Sequence, residues 1–166
     1  MADTLKNRKL YIAVTGDSGA DLYTPLVCPT DLNQAAYEAL DWTQVKHVGS
    51  IGETGTKDNI VSYDELDSDV TPKGKGISNA GDPPIECARK ASDNGQKAMR
   101  TAGATKHVYA FKVVDDDMPS GGTNGTTYYN RGLVGGPSKP NGRQENFNLE
   151  IYTLGLVQRE ITVEAA

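Results

Sequence analysis

A chain of 166 residues with net charge −5 and pI near 5.0 is long enough to bury roughly 70% of its unfolded surface around one core. The acidic balance excludes tight gripping of phosphate backbones, which needs clustered Lys and Arg, so nucleic acid is excluded as a held ligand but not as a repelled passenger. Leu (11), Ile (7), Val (12) and Phe (2) make only about 19% of the chain, at the border where ordering entropy is hard to offset, while the modest charge speaks against outright disorder. The composition therefore predicts one folded domain, residues 1–166, with a substantial segment that orders only against a partner.

Residues 1–9 carry no apolar run behind their charges, and no stretch approaches the roughly 18 apolar residues of a membrane span, so the sequence reads as soluble and cytosolic. Cys28 and Cys87 match neither a disulfide framework nor a metal-ligand spacing and read as free structural thiols.

In chain order, period-two alternation dominates. Residues 9–14 place Leu10, Ile12 and Val14 on one face of a strand, which Gly16-Asp17-Ser18-Gly19 then breaks. Asp31 is a candidate cap for a short helix through Leu40, with Leu32, Ala36 and Leu40 at helical spacing; a loop is the alternative. Residues 45–53 read as a strand. Residues 54–79 show no regular pattern: Gly, Thr, Ser, Asp and Lys dominate, with Ile60, Val61, Tyr63, Leu66, Val70 and Ile77 scattered among them. A structureless loop this long inside a compact domain is uncommon and usually functional.

Beyond Pro84, Ile85 and Cys87 alternate with Glu86 and Ala88 in a one-faced strand. The clearest helix follows: Asp93 caps it, Gln96 completes a capping box, Ala98, Met99 and Ala102 form its apolar stripe, and Gly103 supplies a left-handed stop. Residues 107–114 form a strand with Tyr109, Phe111 and Val113 on one side. Residues 126–134 form another, ended by Gly135-Gly136-Pro137. Residues 145–157 are predicted as the longest strand, with Phe147, Leu149 and Ile151 inward and Asn148, Glu150 and Tyr152 outward; residues 159–163 add a last short strand. About seven strands and one firm helix predict a mainly β fold, a β-sandwich or partial barrel flanked by a helix.

Several fragments imitate catalytic motifs and fail on inspection. Gly16-Asp17-Ser18-Gly19 resembles the surroundings of a serine nucleophile, but Ala20 replaces the next glycine, and only His47 and His107 could act as base. Gly52-Glu53-Thr54-Gly55-Thr56-Lys57 has two residues between its glycines where a phosphate loop needs four, and Asp58 follows the lysine. Asp64, Glu65, Asp67 and Asp69 lack the alternation and central glycine of a calcium loop. Asn124-Gly125-Thr126 is a sequon that signifies only in a secreted chain. Trp42 reads as a core or interface anchor. No catalytic residue, metal or cofactor is assigned, and the chain reads as a non-enzyme.

The order of short motifs is more telling. Asp41-Trp42, a strand through Val45 and Val48 to Ile51-Gly52-Glu53, a long acidic loop with Ser62-Tyr63 and Leu66-Asp67, then Gly74-x-Gly76, Ala80-Gly81-Asp82 and the helix with Gly95-Gln96-Lys97-Ala98, resembles the tail tube protein of lambda-like long-tailed bacteriophages over residues 41–163. Residues 1–40 offer no motif to align, and no surface domain of the kind some relatives carry follows the last strand, so host-surface decoration is not implied.

The resemblance implies a structural virion protein, assembled in the host cytoplasm and located in the virion tail, whose hexameric rings stack into the conduit for double-stranded DNA during ejection. Its partners would be further copies of itself, a tape measure protein and tail terminator or tip proteins. If each of six copies lends about four strands to an inner barrel, spacing and tilt give a backbone diameter of about 48 Å and a free bore of roughly 38 Å. Closure would also bury strand edges that otherwise invite aggregation. Alternation then makes Glu86, Lys90, Asn148 and Glu150 the lumen-facing candidates, a negative lining that keeps phosphates from adhering. Glu53, Asp82 and Trp42 are ring-junction candidates. Residues 54–79, with Ile60, Val61, Tyr63, Leu66, Val70 and Ile77, are read as an inter-ring loop that is disordered in the free subunit and ordered on stacking. The alternatives are a β-sandwich adhesin or carbohydrate-binding module, for which Tyr128-Tyr129 is the only aromatic platform, and a hydrolase built on Ser18.

Overall fold

A computed structural model describes residue 4 and residues 6–166 of the chain; residues 1–3 and 5, part of the unaligned N-terminal stretch, lie outside the described residues. The described residues form ten strands: β1 (Lys9–Val14), β2 (Asp41–Val45), β3 (Val48–Ile51), β4 (Lys57–Ser62), β5 (Lys73–Asn79), β6 (Pro84–Ala88), β7 (Tyr109–Val114), β8 (Thr127–Ser138), β9 (Leu149–Leu156) and β10 (Ile161–Val163). Two α-helices, α1 (Gln34–Glu38) and α2 (Asn94–Gly103), and a 3-10 turn, Gly19–Tyr23, complete the elements. The fold is mainly β, as the alternation predicts.

One antiparallel sheet runs in the order β2-β1-β7-β8-β9-β6-β3, with β10 also on β8. The stretch read as one strand over residues 45–53 is instead two, β2 and β3, at opposite ends of that order. The chain bends between them at Lys46–His47, where His47 adopts φ +62° and its carbonyl accepts a hydrogen bond from the Ala88 amide at 2.9 Å. Because two residues join the first and last strands, the sheet must be rolled, and the result is a partial barrel.

The helix α2 packs inside this roll against β8, β2 and β1. Asp93 caps it by accepting from the Gln96 amide at 3.0 Å. The predicted capping box is only half formed, because the Gln96 side chain does not return to Asp93. Fully buried, it donates to the Lys46 and Ala88 carbonyls, both at 2.9 Å, and accepts from the Lys90 amide at 2.8 Å. One side chain thus ties the β2–β3 corner to the end of β6. Gly103 is not a left-handed stop; it is the last helical residue, and a Cβ there would lie 2.6 Å from the Gly136 carbonyl oxygen of β8. Glycine is present for close approach, not for turning.

Leu10, Ile12, Val14, Ile85, Cys87 and Phe111 from the sheet meet Ala98, Met99 and Ala102 of α2 in the main core. The opposite face of β1, β7 and β8 is covered by residues 25–40: Ala13, Ala110 and Tyr129 pack under Cys28 and Tyr37, whose ring stacks on Tyr129 at 5.0 Å. Asn33, not Asp31, caps α1, accepting from the Ala36 amide at 2.9 Å. Asp31 instead pairs with Arg131, which also donates to the Cys28 carbonyl at 2.9 Å and to Gln158 at 3.1 Å. Gln158 belongs to the four residues between β9 and β10, both of which lie along β8, and it holds Leu32 and Tyr37 in turn. Residues 25–40 are thus held both by their apolar side chains, Leu26, Cys28, Leu32, Tyr37 and Leu40, and by the Arg131 and Gln158 contacts.

Candidate assembly surfaces

The strands β3, β6, β9 and the distal half of β8 form a four-stranded layer whose inner face is core. Registers Ser50↔Glu86, Glu86↔Ile151 and Gly135↔Thr153 put these residues on one outward face, where they remain exposed or half-buried. Glu86 is the only ionisable side chain of these strand segments that points outward. Among the described residues both margins of the layer lack a further strand: β3 ends the sheet, and the pairing of β7 with β8 stops at Tyr109↔Gly132, leaving residues 133–138 without a strand on that side, where α2 approaches the Gly136 carbonyl. Such margins are templates for further strands.

The lumen assignment of Glu150 is overturned. Along β9 the buried residues are Glu150, Tyr152, Leu154 and Leu156, while Leu149 and Ile151 are half-exposed and Phe147 lies exposed before the strand begins. The predicted parity is off by one residue, which exchanges the two faces. Period two cannot choose between the sets when both contain apolar residues, and a buried carboxylate misleads the choice. Glu150 is tolerated in the core because Arg89 Nε stands 2.8 Å from one oxygen, while Arg100 Nη1 at 3.5 Å and the Tyr152 hydroxyl at 2.5 Å reach the other. Burial alone raises its pKa, but the Tyr152 hydrogen bond and the two guanidiniums outweigh it, and the carboxyl is held below its ordinary range. The other lumen candidates are spread out: Glu86 is on the open face, whereas Lys90 and Asn148 are exposed just beyond β6 and just before β9.

Residues 54–79 are not an irregular loop. β4 and β5 pair as an antiparallel ribbon that stands apart from the large sheet. Its register continues that of β3 and β6: Ile51 faces Ile85, and six residues further along each strand Lys57 faces Asn79. The ribbon is the unpaired prolongation of the β3–β6 hairpin. At its neck Gly55 and Gly81 adopt φ +105° and +93°, backbone that other residues rarely reach. Beyond them Ile60, Val61, Tyr63, Leu66, Val70 and Ile77 are all exposed. With neither face buried, no alternation is imposed on the sequence, which is why none is visible in it. A polar latch ties the ribbon to the body: Asp58, hydrogen-bonded to Ser78, lies 3.2 Å from Lys75 and 3.3 Å from Arg159. The Ser78 and Lys75 contacts hold the Asp58 carboxyl below its usual range.

The ring-junction candidates do not converge. Glu53, paired with exposed Lys57 at 3.1 Å, and exposed Asp82 both flank the neck. Trp42 lies on the covered face instead, 6.0 Å from the Tyr129 ring and 5.0 Å from Lys112 Nζ.

Nothing assembles around the catalytic fragments. Ser18, His47 and His107 are all exposed, and none makes a side-chain hydrogen bond among the described residues. Among the described residues no group of three or more His, Cys, Asp or Glu could hold a metal ion, and no helix is long and apolar enough to cross a membrane. The pair Tyr128-Tyr129 is not a platform, since Tyr129 is buried and Arg8 lies over Tyr128 at 5.8 Å. Sequence reading also missed the Arg131–Gln158 clamp and the Glu150 cluster, because their members are far apart in the chain and follow no spacing rule.

No family model matches the sequence, and no curated protein matches it. Solved structures do. A chain in the structure of an extracellular contractile injection system, the PVC sheath/tube terminator in its extended state, superposes with a TM-score of 0.62 at 9% identity, over 98% of this chain and 97% of the other. A chain of the anti-feeding prophage baseplate gives 0.60 at 9% identity, over 99% and 97%. At such identity the likeness is one of fold, and over nearly the whole length the fold of this protein is one found in a contractile injection system and in the anti-feeding prophage baseplate.

Proposed function

We propose that this protein is a structural subunit of a phage-like tail, assembling into hexameric rings that stack into a tube for double-stranded DNA. The observation that carries this reading is the four-stranded layer with two unpaired margins and one uncovered, nearly uncharged face. Side-by-side copies, joining β3 of one to the free margin of β8 in the next, satisfy both margins and generate a closed ring by a heterologous contact. Copies of Glu86 then form the only charged girdle that these strands contribute to the bore, and phosphates pass without adhering. The fold shared with chains of the PVC and anti-feeding prophage assemblies supports a structural, non-catalytic role alongside other tail proteins, such as a tape measure and a terminator.

Negative-stain images of the concentrated, purified protein test this reading, with hollow rods expected. Uniform monomers at all concentrations would overturn it. A second reading, a terminator that caps a tube, is favoured by the likeness to the PVC structure; it predicts single rings that never lengthen.

A further inference from the structure

The two ends of the four-stranded layer carry opposite charge. The β4–β5 ribbon leaves one end, and its tip, residues 63–72, holds Asp64, Glu65, Asp67 and Asp69 with no basic residue, alongside exposed Leu66 and Val70. At the other end lie the β2–β3 corner, the residues after β6 and the connection from β8 to β9. The backbone bonds from Ala88 to His47 and from Arg89 to Asn148 bring these together. There Asp93 is committed to capping α2 and Arg89 to Glu150. Lys46, Lys90, Lys139 and Arg143 remain, all exposed and none in an ion pair among the described residues, against Glu145 and, across the cavity beside Lys46, Asp116, its neighbour Asp115 being paired with Arg8; Phe147 is exposed beside them.

Resting on the tube reading, we propose that the acidic ribbon tip of one copy docks on the basic far end of a copy in the next ring, with Leu66 and Val70 packing against Phe147. The two surfaces sit at opposite ends of one sheet, so a subunit cannot satisfy itself. The contact is heterologous, it does not close, and it gives the stack a fixed polarity. Charge complementarity selects head-to-tail contact, since tip-to-tip and end-to-end encounters set like charges together. The neck glycines let the ribbon adjust to the ring it meets, and Arg159, through Asp58 and Ser78, holds its angle in the free subunit.

Two charge-reversed full-length variants test this. One carries Asp64→Lys, Glu65→Lys, Asp67→Lys and Asp69→Lys; the other carries Lys90→Glu, Lys139→Glu and Arg143→Glu. Each alone is expected to give rings without rods, and an equal mixture to regain rods, because each tip then meets an opposite far end. Wild-type rods are expected to fall apart into rings between 0.1 and 1 M NaCl, where the screening length shrinks from about 10 to 3 Å. Wild-type-length rods from either variant alone, or no recovery on mixing variants that keep the wild-type melting temperature, overturn the end pairing and leave the tube reading standing. Should a variant misfold, wild-type rods indifferent to salt overturn it equally. Wild-type rings that never stack also refute it, and wild-type monomers refute both readings.

Discussion

Replacing Glu150 by glutamine separates the buried β9 carboxylate from the lumen-facing one that alternation predicts. The substitution keeps the volume and removes the charge, leaving Arg89 and Arg100 facing a neutral amide in the core. Removing one partner of a buried ion pair typically costs about 3–5 kcal/mol. Arg89 and Arg100 retain 37% and 23% side-chain exposure, so water screens part of the loss, and the expected cost is about 2–3 kcal/mol. For a chain of this size that lowers the melting temperature by about 4–12 °C. Thermal unfolding followed by circular dichroism at pH 7 reads it. The pH dependence has a definite sign: the folded-state pKa of Glu150 is depressed, so its contribution is fully present above the unfolded value, about 4.3, and disappears as pH falls through the folded value. The gap between wild type and Glu150→Gln should therefore close in acid. A variant melting within 1 °C of wild type at pH 7, the behaviour of a solvated lumen residue, would refute the buried placement.

Three further outcomes follow from the packing. Gln96→Leu removes the partner of the Lys90 amide and of the Lys46 and Ala88 carbonyls at a part-buried corner that water can reach, and at a net cost of about 0.5–1.5 kcal/mol for each lost bond, urea unfolding should show a lower midpoint at an unchanged slope. Gly95→Ala sets a methyl 2.1 Å from the Gln44 carbonyl oxygen, so α2 must retreat from β2 at a cost of about 1–3 kcal/mol, measurable as a lower melting temperature. Cys28 and Cys87 should resist a thiol reagent at pH 8 in the native protein and react at once in denaturant. Burial raises both, Cys87 to about 11, so that on the order of one molecule in a thousand carries the Cys87 thiolate at that pH.

Elements that bury one face are legible in their residues alone. β1, β6 and β7 are where their alternation places them, and α2 starts at its Asp93 cap, because a strand or helix half in the core must write its period into its residues. Three decisions came only with the tertiary structure. The β4–β5 ribbon buries nothing, so its residues carry no pattern, and its identity lies in a register shared with β3 and β6. The inward set of β9 includes a glutamate, which becomes a core residue only once Arg89 and Arg100 arrive from the end of β6 and from α2. The bend at His47 turns one apparent strand into the two opposite ends of a rolled sheet. Each depends on groups far apart in the chain meeting in space, a condition that local periodicity does not encode.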